Sequence, residues 1–358
     1  MTQSYNKTLN EICQNILFGI EIETCYHNID KTPNKKINDD NKYKQSLIDN
    51  KNFIFECFSN KSKNYKNPLL NWIYCPPHDK NCEEYKNWVI TSDPTVFCKN
   101  TNMVEEKYSI KQNSMSLNIP DIEFYPIELV SPILNMNTQI SPAGEGFLIL
   151  YMIYFGWLMD KKLVYTVNDT QGLHINLSHK NTPMKQYMSK FLKLIYIMEP
   201  ILINMIPDDR RFMLDPEDHL RYTSFENIDL QALTTKNPII KIHKNRFEFR
   251  IFDGTMVYHE IYYTTMFSIL LLGASIALSE KQLDPLLKET NIKILFENLE
   301  SFIVDTQTIN FVINKYNKNK TEDAPEIQTS QKQQTVFPMF EITNQVEKYI
   351  QPAINTSC

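Results

Sequence analysis

Residues 18–23 read FGIEIE, and no other stretch restricts the chain so strongly. A β-strand sends successive side chains to opposite faces, so Phe18, Ile20 and Ile22 take one side while Glu21 and Glu23 take the other. Two carboxylates that close oppose one another's ionisation unless a cation compensates them. Hard divalent cations such as magnesium prefer carboxylate oxygen. The strand therefore reads either as half a metal site or as paired acids on a solvated face. The choice depends on what other strands bring to the same side.

Several strands repeat this design. Residues 88–96, WVITSDPTV, run from an apolar strand into Ser92, Asp93 and Pro94. At 127–130, Glu128 stands among Ile127, Leu129 and Val130, and Ser131 with Pro132 ends the strand. A lone Glu there costs desolvation unless it is paired. Residues 163–178 read as a hairpin with a turn from Asn168; Leu173, Ile175 and Leu177 then oppose His174, Asn176 and Ser178. Phe247, Phe249 and Ile251 likewise alternate with Glu248 and Arg250 before a turn at Asp253 and Gly254. An ordinary antiparallel sheet has one wet side, but wet sides usually carry Thr, Lys and Ser. Here they carry Glu21, Glu23, Glu128, His174, Glu248 and Arg250, and none of the chain's plentiful lysines. Acids can hold cations while Arg and His meet phosphate oxygens, so this face suits metal ions with a polyphosphate.

Helices are expected to cover the apolar side. Residues 8–15 read as a short helix or as a disordered lead into the first strand, 141–160 as a buried helix, and 184–206 as an amphipathic one with Met188, Leu192, Ile195 and Met198 in phase. Arg210 and Arg211 follow Asp208 and Asp209 beyond Pro207. They are either paired and solvated or placed to clamp a carboxylate or phosphate. Two further helices are expected over 261–278 and 291–316. The longest apolar runs, 147–159 and 266–278, are shorter than the roughly 20 residues that cross a bilayer, so a soluble protein is expected.

With 37 basic against 42 acidic residues in 358, net charge −5, the chain has no global field for nucleic acid or an anionic membrane. Its 7 cysteines form no regular framework and no basic-then-apolar leader opens the chain, which points to a reducing, cytoplasmic setting. Cys57, Cys75, His78 and Cys82 lie in a polar insertion and read as zinc ligands or, with no CxxC pair, as reduced cysteines. The expected organisation is one catalytic domain over 1–317 with insertions at 27–87 and 99–121, a polar linker at 318–336 and a short helical tail at 337–358.

FGIEIE, WVITSD, IELVSPIL, GLHINLS, the PDDR after a long helix, and FEFRIFDGT stand in the order seen in the amidoligases. At these blocks the sequence resembles that family, which belongs with glutamate–cysteine ligases and glutamine synthetases. The resemblance implies an α+β fold: a curved antiparallel sheet of glutamine synthetase-like type, helices on one face and an ATP- and metal-binding face on the other. It implies a carboxylate–amine ligase that binds ATP and Mg2+ and works through an acyl phosphate. Glu21, Glu23, Glu128 and Glu248 would be metal ligands, and His174 would lie near ATP phosphate or metal. Arg250 would neutralise charge on transfer, Arg210 would hold a carboxylate or phosphate, and Asp93 would orient the amine. The family often shows a second His two residues after the first, where this chain has Asn176. A non-catalytic nucleotide- or partner-binding protein on the same scaffold is the alternative. A phosphotransferase using the same metal geometry is a third reading. The chain contains no Walker loop, GxSxG or HExxH, so those mechanisms have no support. Small-molecule, peptide or protein acids and amines are the expected partners; nothing in the sequence names them or an oligomeric state.

Overall fold

The computed structural model describes residues 3–28, 72–74, 88–91, 125–136, 163–166, 171–211, 214–235, 239–255, 257–303 and 305–329. Strand β1, Ile16–Asn28, runs through the middle of a sheet completed by β2 (Trp72–Tyr74), β3 (Trp88–Thr91), β4 (Tyr125–Val130), β5 (Leu134–Asn135), β6 (Leu163–Thr166), β7 (Leu173–His179), β8 (Ile240–Ile242) and β9 (Phe247–Phe249). The order is β2-β3-β4-β1-β7-β9-β8, with β5 and β6 also paired to β1. Neighbours are antiparallel, except that β2 and β3 are parallel.

Strands β6 and β7 do not form the expected hairpin. Each pairs with β1, β7 along residues 16–22 and β6 along 25–28. Both lie on the edge opposite β4, because Glu21, Ile22, Cys25 and Tyr26 are paired on their other side to β4. A 13-residue strand is long enough to receive two short partners end to end. Ser131 interrupts the other edge between β4 and β5. Its Oγ accepts from the Ile20 N–H at 2.8 Å, and its own N–H donates to the Ile20 carbonyl at 2.8 Å.

Phe18, Ile20, Ile22, Leu173, Ile175, Leu177, Phe247 and Phe249 are all buried, as their alternation requires. Among the described residues, five longer helices frame this core: α1 (Gln3–Cys13), α2 (Met188–Met205), α3 (Tyr258–Ala277), α4 (Ile292–Phe302) and α5 (Thr306–Asn319). Phe191 of α2 lies 4.4 Å from Phe247 and 5.8 Å, edge to face, from Phe249 between ring centroids, which ties the helix layer to β9. Gly273 lets α1 approach α3, since a Cβ there would collide with Cys13 Sγ. The expected helix at 291–316 is two helices. The Asp305 carboxylate accepts from the Thr308 N–H at 3.1 Å and caps a new helix where the first stops. Among the described residues α3 is long and apolar enough to cross a membrane, and its stretch His259–Ala277 is 72% buried inside the protein.

The first part of the expected linker is tied down. Asn317 Oδ1 accepts from the Ile327 N–H at 2.9 Å, while Asn317 Nδ2 donates to the Ile327 carbonyl at 2.6 Å. Cys25, expected as a thiol, is disulfide-bonded. The helices expected at 141–160 and 337–350, and the residues Cys57, Cys75, His78 and Cys82, lie outside the described residues.

Glu199, 2% exposed on α2, accepts from two backbone amides that start the turn Leu220–Tyr222, Leu220 at 2.6 Å and Arg221 at 2.7 Å. Burial pushes its carboxyl up from 4.5 to about 7, against these bonds and the Arg221 charge. Glu199→Gln removes one acceptor and should lower stability by about 1–3 kcal/mol. The folded form also holds the Glu199 proton more tightly than the unfolded chain. This contribution to stability is therefore complete below 4.5 and is lost as pH rises through about 7. Thermal unfolding across that range should show a fall with pH in the parent that is larger than in the variant.

Candidate active site

Directly opposed residues of an antiparallel ladder project to the same face. In this register Glu21 opposes His174, Glu23 opposes Glu128, and Asn176 opposes both Gly19 and Glu248. The acids of β1, β4 and β9 and the imidazole of β7 thus share the face away from the helices. Glu23, His174 and Glu248 are each 6% exposed.

His174 occupies the centre. Its Nδ1 lies 3.5 Å from Glu21 Oε2 and 3.7 Å from Glu248 Oε1, and its Nε2 lies 3.8 Å from Glu23 Oε1. Glu23 stands beside the break between β6 and β7. Its backbone N–H donates to the Gly172 carbonyl at 3.1 Å, and its Oε2 accepts from the Gly172 N–H at 2.6 Å. The interruption of the ladder fixes one oxygen of this carboxylate and turns the other toward His174. Burial pushes the Glu21 carboxyl up, but His174, the Asn176 hydrogen bond and the Arg246 charge outweigh it and hold the group below its ordinary range. Burial likewise opposes the charged form of His174; Glu21 and Glu23 outweigh it and raise that group, against Arg250.

Three basic residues close the cluster. Arg250 Nε is 3.3 Å from Glu248 Oε1, and His243 Nε2 is 2.5 Å from Glu248 Oε2. Arg246 Nε donates to Asn176 Oδ1 at 2.7 Å, and Asn176 Nδ2 donates to Glu21 Oε1 at 2.8 Å. Sequence reasoning missed His243, Arg246 and Gly172. Arg246 was within reach, because the alternation carrying Glu248 and Arg250 places residue 246 on the same face. His243 depends on the three-residue strand β8, too short to show a period, and on the turn in which its N–H donates to the Arg246 carbonyl at 2.9 Å.

Glu128 is brought opposite Glu23 and also opposite Thr91 of β3. Arg210 belongs to the short helix Asp208–Arg211, but its side chain lies outside what is described, as does all of Asp93.

A family model described as "Putative amidoligase enzyme" matches residues 14–214. The chain belongs to this amidoligase family. The match takes in Glu21, Glu23, Glu128 and His174; Glu248 of β9 and Arg250 just after that strand lie beyond it. No curated protein sequence matches this chain significantly. Among the solved structures that this chain resembles are the following two. One is the complex between prokaryotic ubiquitin-like protein Pup and its ligase PafA, at 10% identity and TM-score 0.33 over 90% of this chain and 61% of that one. The other is a bifunctional glutathione synthetase from Pasteurella multocida, at 11% identity and TM-score 0.33 over 98% of this chain and 52% of that one. This chain spans less than two thirds of either.

The donor set fits a divalent ion. Glu21, His174 and Glu248 each offer one ligand atom, and the three atoms lie within 4.8 Å of one another. The two carboxylates suit manganese or magnesium, the latter commonly held by one or two carboxylates with water completing its shell, while an imidazole is a more usual ligand of zinc, copper, iron or nickel. His243 and Arg250 compete for the Glu248 oxygens, so an ion would bind by displacing contacts rather than by filling an uncompensated site. Thermal unfolding should shift upward with Mg2+ or Mn2+ relative to chelator. Near a hundredfold excess over the dissociation constant the gain is about 2.7 kcal/mol. The Glu21→Gln, Glu248→Gln double variant should lose that shift.

Proposed function

We propose that the amidoligase is an ATP- and magnesium-dependent carboxylate–amine ligase on a sheet of glutamine synthetase-like type. Family membership supports the ligase class. The observation that carries the reading is the convergence of Glu21 and Glu248 on His174, with Glu23 and the Arg250 guanidinium beside them, on a face that strands from distant parts of the chain assemble.

A carboxylate resists an amine until one of its oxygens becomes a leaving group. In this reading the substrate carboxylate oxygen attacks the γ-phosphorus of ATP, the bond to the bridging oxygen breaks, and ADP departs. The amine nitrogen then attacks the acyl carbon, phosphate leaves with the bonding electrons, and a nearby carboxylate takes the amine proton. A divalent ion held by Glu21, His174 and Glu248, with Glu23 and Glu128 adjoining, would supply fixed positive charge to the phosphoryl oxygens. Arg250, 3.3 Å from Glu248, is assigned to neutralising charge as the phosphoryl group moves. Asp93 is assigned to orienting the amine and Arg210 to holding a carboxylate or phosphate, both on the resemblance alone. Asn176 replaces the second imidazole with a neutral bridge between Glu21 and Arg246, so this reading asks no proton transfer of that position.

One observation favours the non-catalytic alternative: the acids already have internal partners, Glu248 with His243 and Arg250, and Glu23 with the Gly172 amide. A scaffold stable without an ion can bind nucleotide without turnover. ADP release separates the two. It should require magnesium, a carboxylate and an amine together, and should fall by at least about a hundredfold in the Glu21→Gln, Glu23→Gln variant, the scale of losing one electrostatic element of a phosphoryl-transfer site. ADP release retained in that variant would sink the ligase reading, and nucleotide binding with no ADP release in the parent would select the alternative. An amide product seen by mass spectrometry excludes a simple phosphotransferase.

A further inference from the structure

Beyond Glu21, toward the start of β1, the polar face carries a groove lined by Leu17, Gly19, Val130, Ile133, Asn176 and Arg246, among others. Gly19 lies inside the central strand, where glycine weakens pairing and leaves nothing to pack. Its backbone is not left-handed, and a Cβ there would meet only Asn176 Cβ and Ser131 Oγ, each at 3.8 Å, which is ordinary contact. Neither conformation nor crowding requires glycine at this position. What the missing side chain provides is the open space above it.

The groove has a charged end and an apolar floor. Asn176 fixes the charged end: its Oδ1 accepts from Arg246 Nε at 2.7 Å and its Nδ2 donates to Glu21 Oε1 at 2.8 Å, so the guanidinium is held against the wall. Glu21 is engaged from the opposite side by His174 at 3.5 Å. Leu17, Val130 and Ile133 supply the apolar surface, and Ile133 remains 51% exposed at the rim. A positioned guanidinium suits a carboxylate and opposes an ammonium.

We infer that this groove is the subsite for the acid substrate, and that it takes a carboxylate with an aliphatic body. The inference rests on the ligase reading and adds the substrate class. The carboxylate lies by Arg246, next to Glu21 and the metal ligands, while the chain runs over Gly19. Arg246 and Gly19 thereby become specificity-determining residues.

Isothermal titration of the full chain, with Mg2+ and a non-hydrolysable ATP analogue present, tests this with hexanoate, hexylamine and acetate. Hexanoate should bind, acetate more weakly for want of a body, and hexylamine not measurably. Gly19→Leu fills the groove and Arg246→Met removes the cation at similar length; each should weaken hexanoate by about tenfold or more. If Gly19→Leu proves unfolded by circular dichroism, Arg246→Met and the milder Gly19→Ala carry the test. Hexylamine binding as tightly as hexanoate, or hexanoate binding unchanged in the folded variants, overturns the inference. So does an absence of hexanoate binding in a parent protein that binds the analogue. Failure of the analogue to bind the parent would count against the ligase reading, while hexanoate binding lost in the variants would still uphold the groove.

Discussion

A carboxylate withdrawn from water must be compensated, and the polar face of β1 gathers three such groups around one imidazole. Glu21, Glu23 and Glu248 all lie within 4 Å of His174. Each has a further partner: Asn176 for Glu21, the Gly172 amide for Glu23, and His243 with Arg250 for Glu248. Leaving one buried ion unpaired would cost several kcal/mol, comparable with a domain's whole net stability. The positions of β7, β9 and the turn before β9 are therefore bound to the charge balance of β1.

The same strand joins that balance to the hydrophobic core. Phe18, Ile20 and Ile22 are buried beneath the helices while Glu21 and Glu23 face away, so a one-residue slip would exchange apolar and charged sets together. Register is thus held by two penalties at once, exposed apolar surface on one side and unpaired charge on the other. Rigidity of this kind suits a site whose ligand atoms must stay within a few ångströms of one another. It also explains how Gly172 can position a carboxylate: its amide reaches Glu23 because the strands before and after it are fastened to β1.

Most of the acidic cluster was legible from alternation. Glu21, Glu23, Glu128, His174 and Glu248 were expected on one face, and the register places them there. Arg250 was expected with Glu248 and stands 3.3 Å from it. Asn176 first appears in the sequence only as a departure from the family's second imidazole. In the fold it is a bridge with both ends occupied, Glu21 on one and Arg246 on the other. The hairpin expected from β6 and β7 failed because a turn-like sequence between two strands does not specify that those strands pair with each other. The single helix expected at 291–316 failed because apolar spacing continues across a break that Asp305 caps locally.

By itself the sequence determined which side chains share a face of each strand and which stretches are apolar enough to form the layer beneath. Both follow from covalent geometry and composition: successive side chains alternate, and apolar ones leave water. Only the tertiary structure decided which faces meet. The placing of β6 and β7 end to end on β1, the reach of Gly172 to Glu23, the approach of His243 to Glu248 and the space left above Gly19 all join residues far apart along the chain or on either side of a turn. Such meetings depend on register and turn geometry, which minimise unpaired charge and exposed apolar surface over the whole molecule and leave no periodic trace in the local sequence.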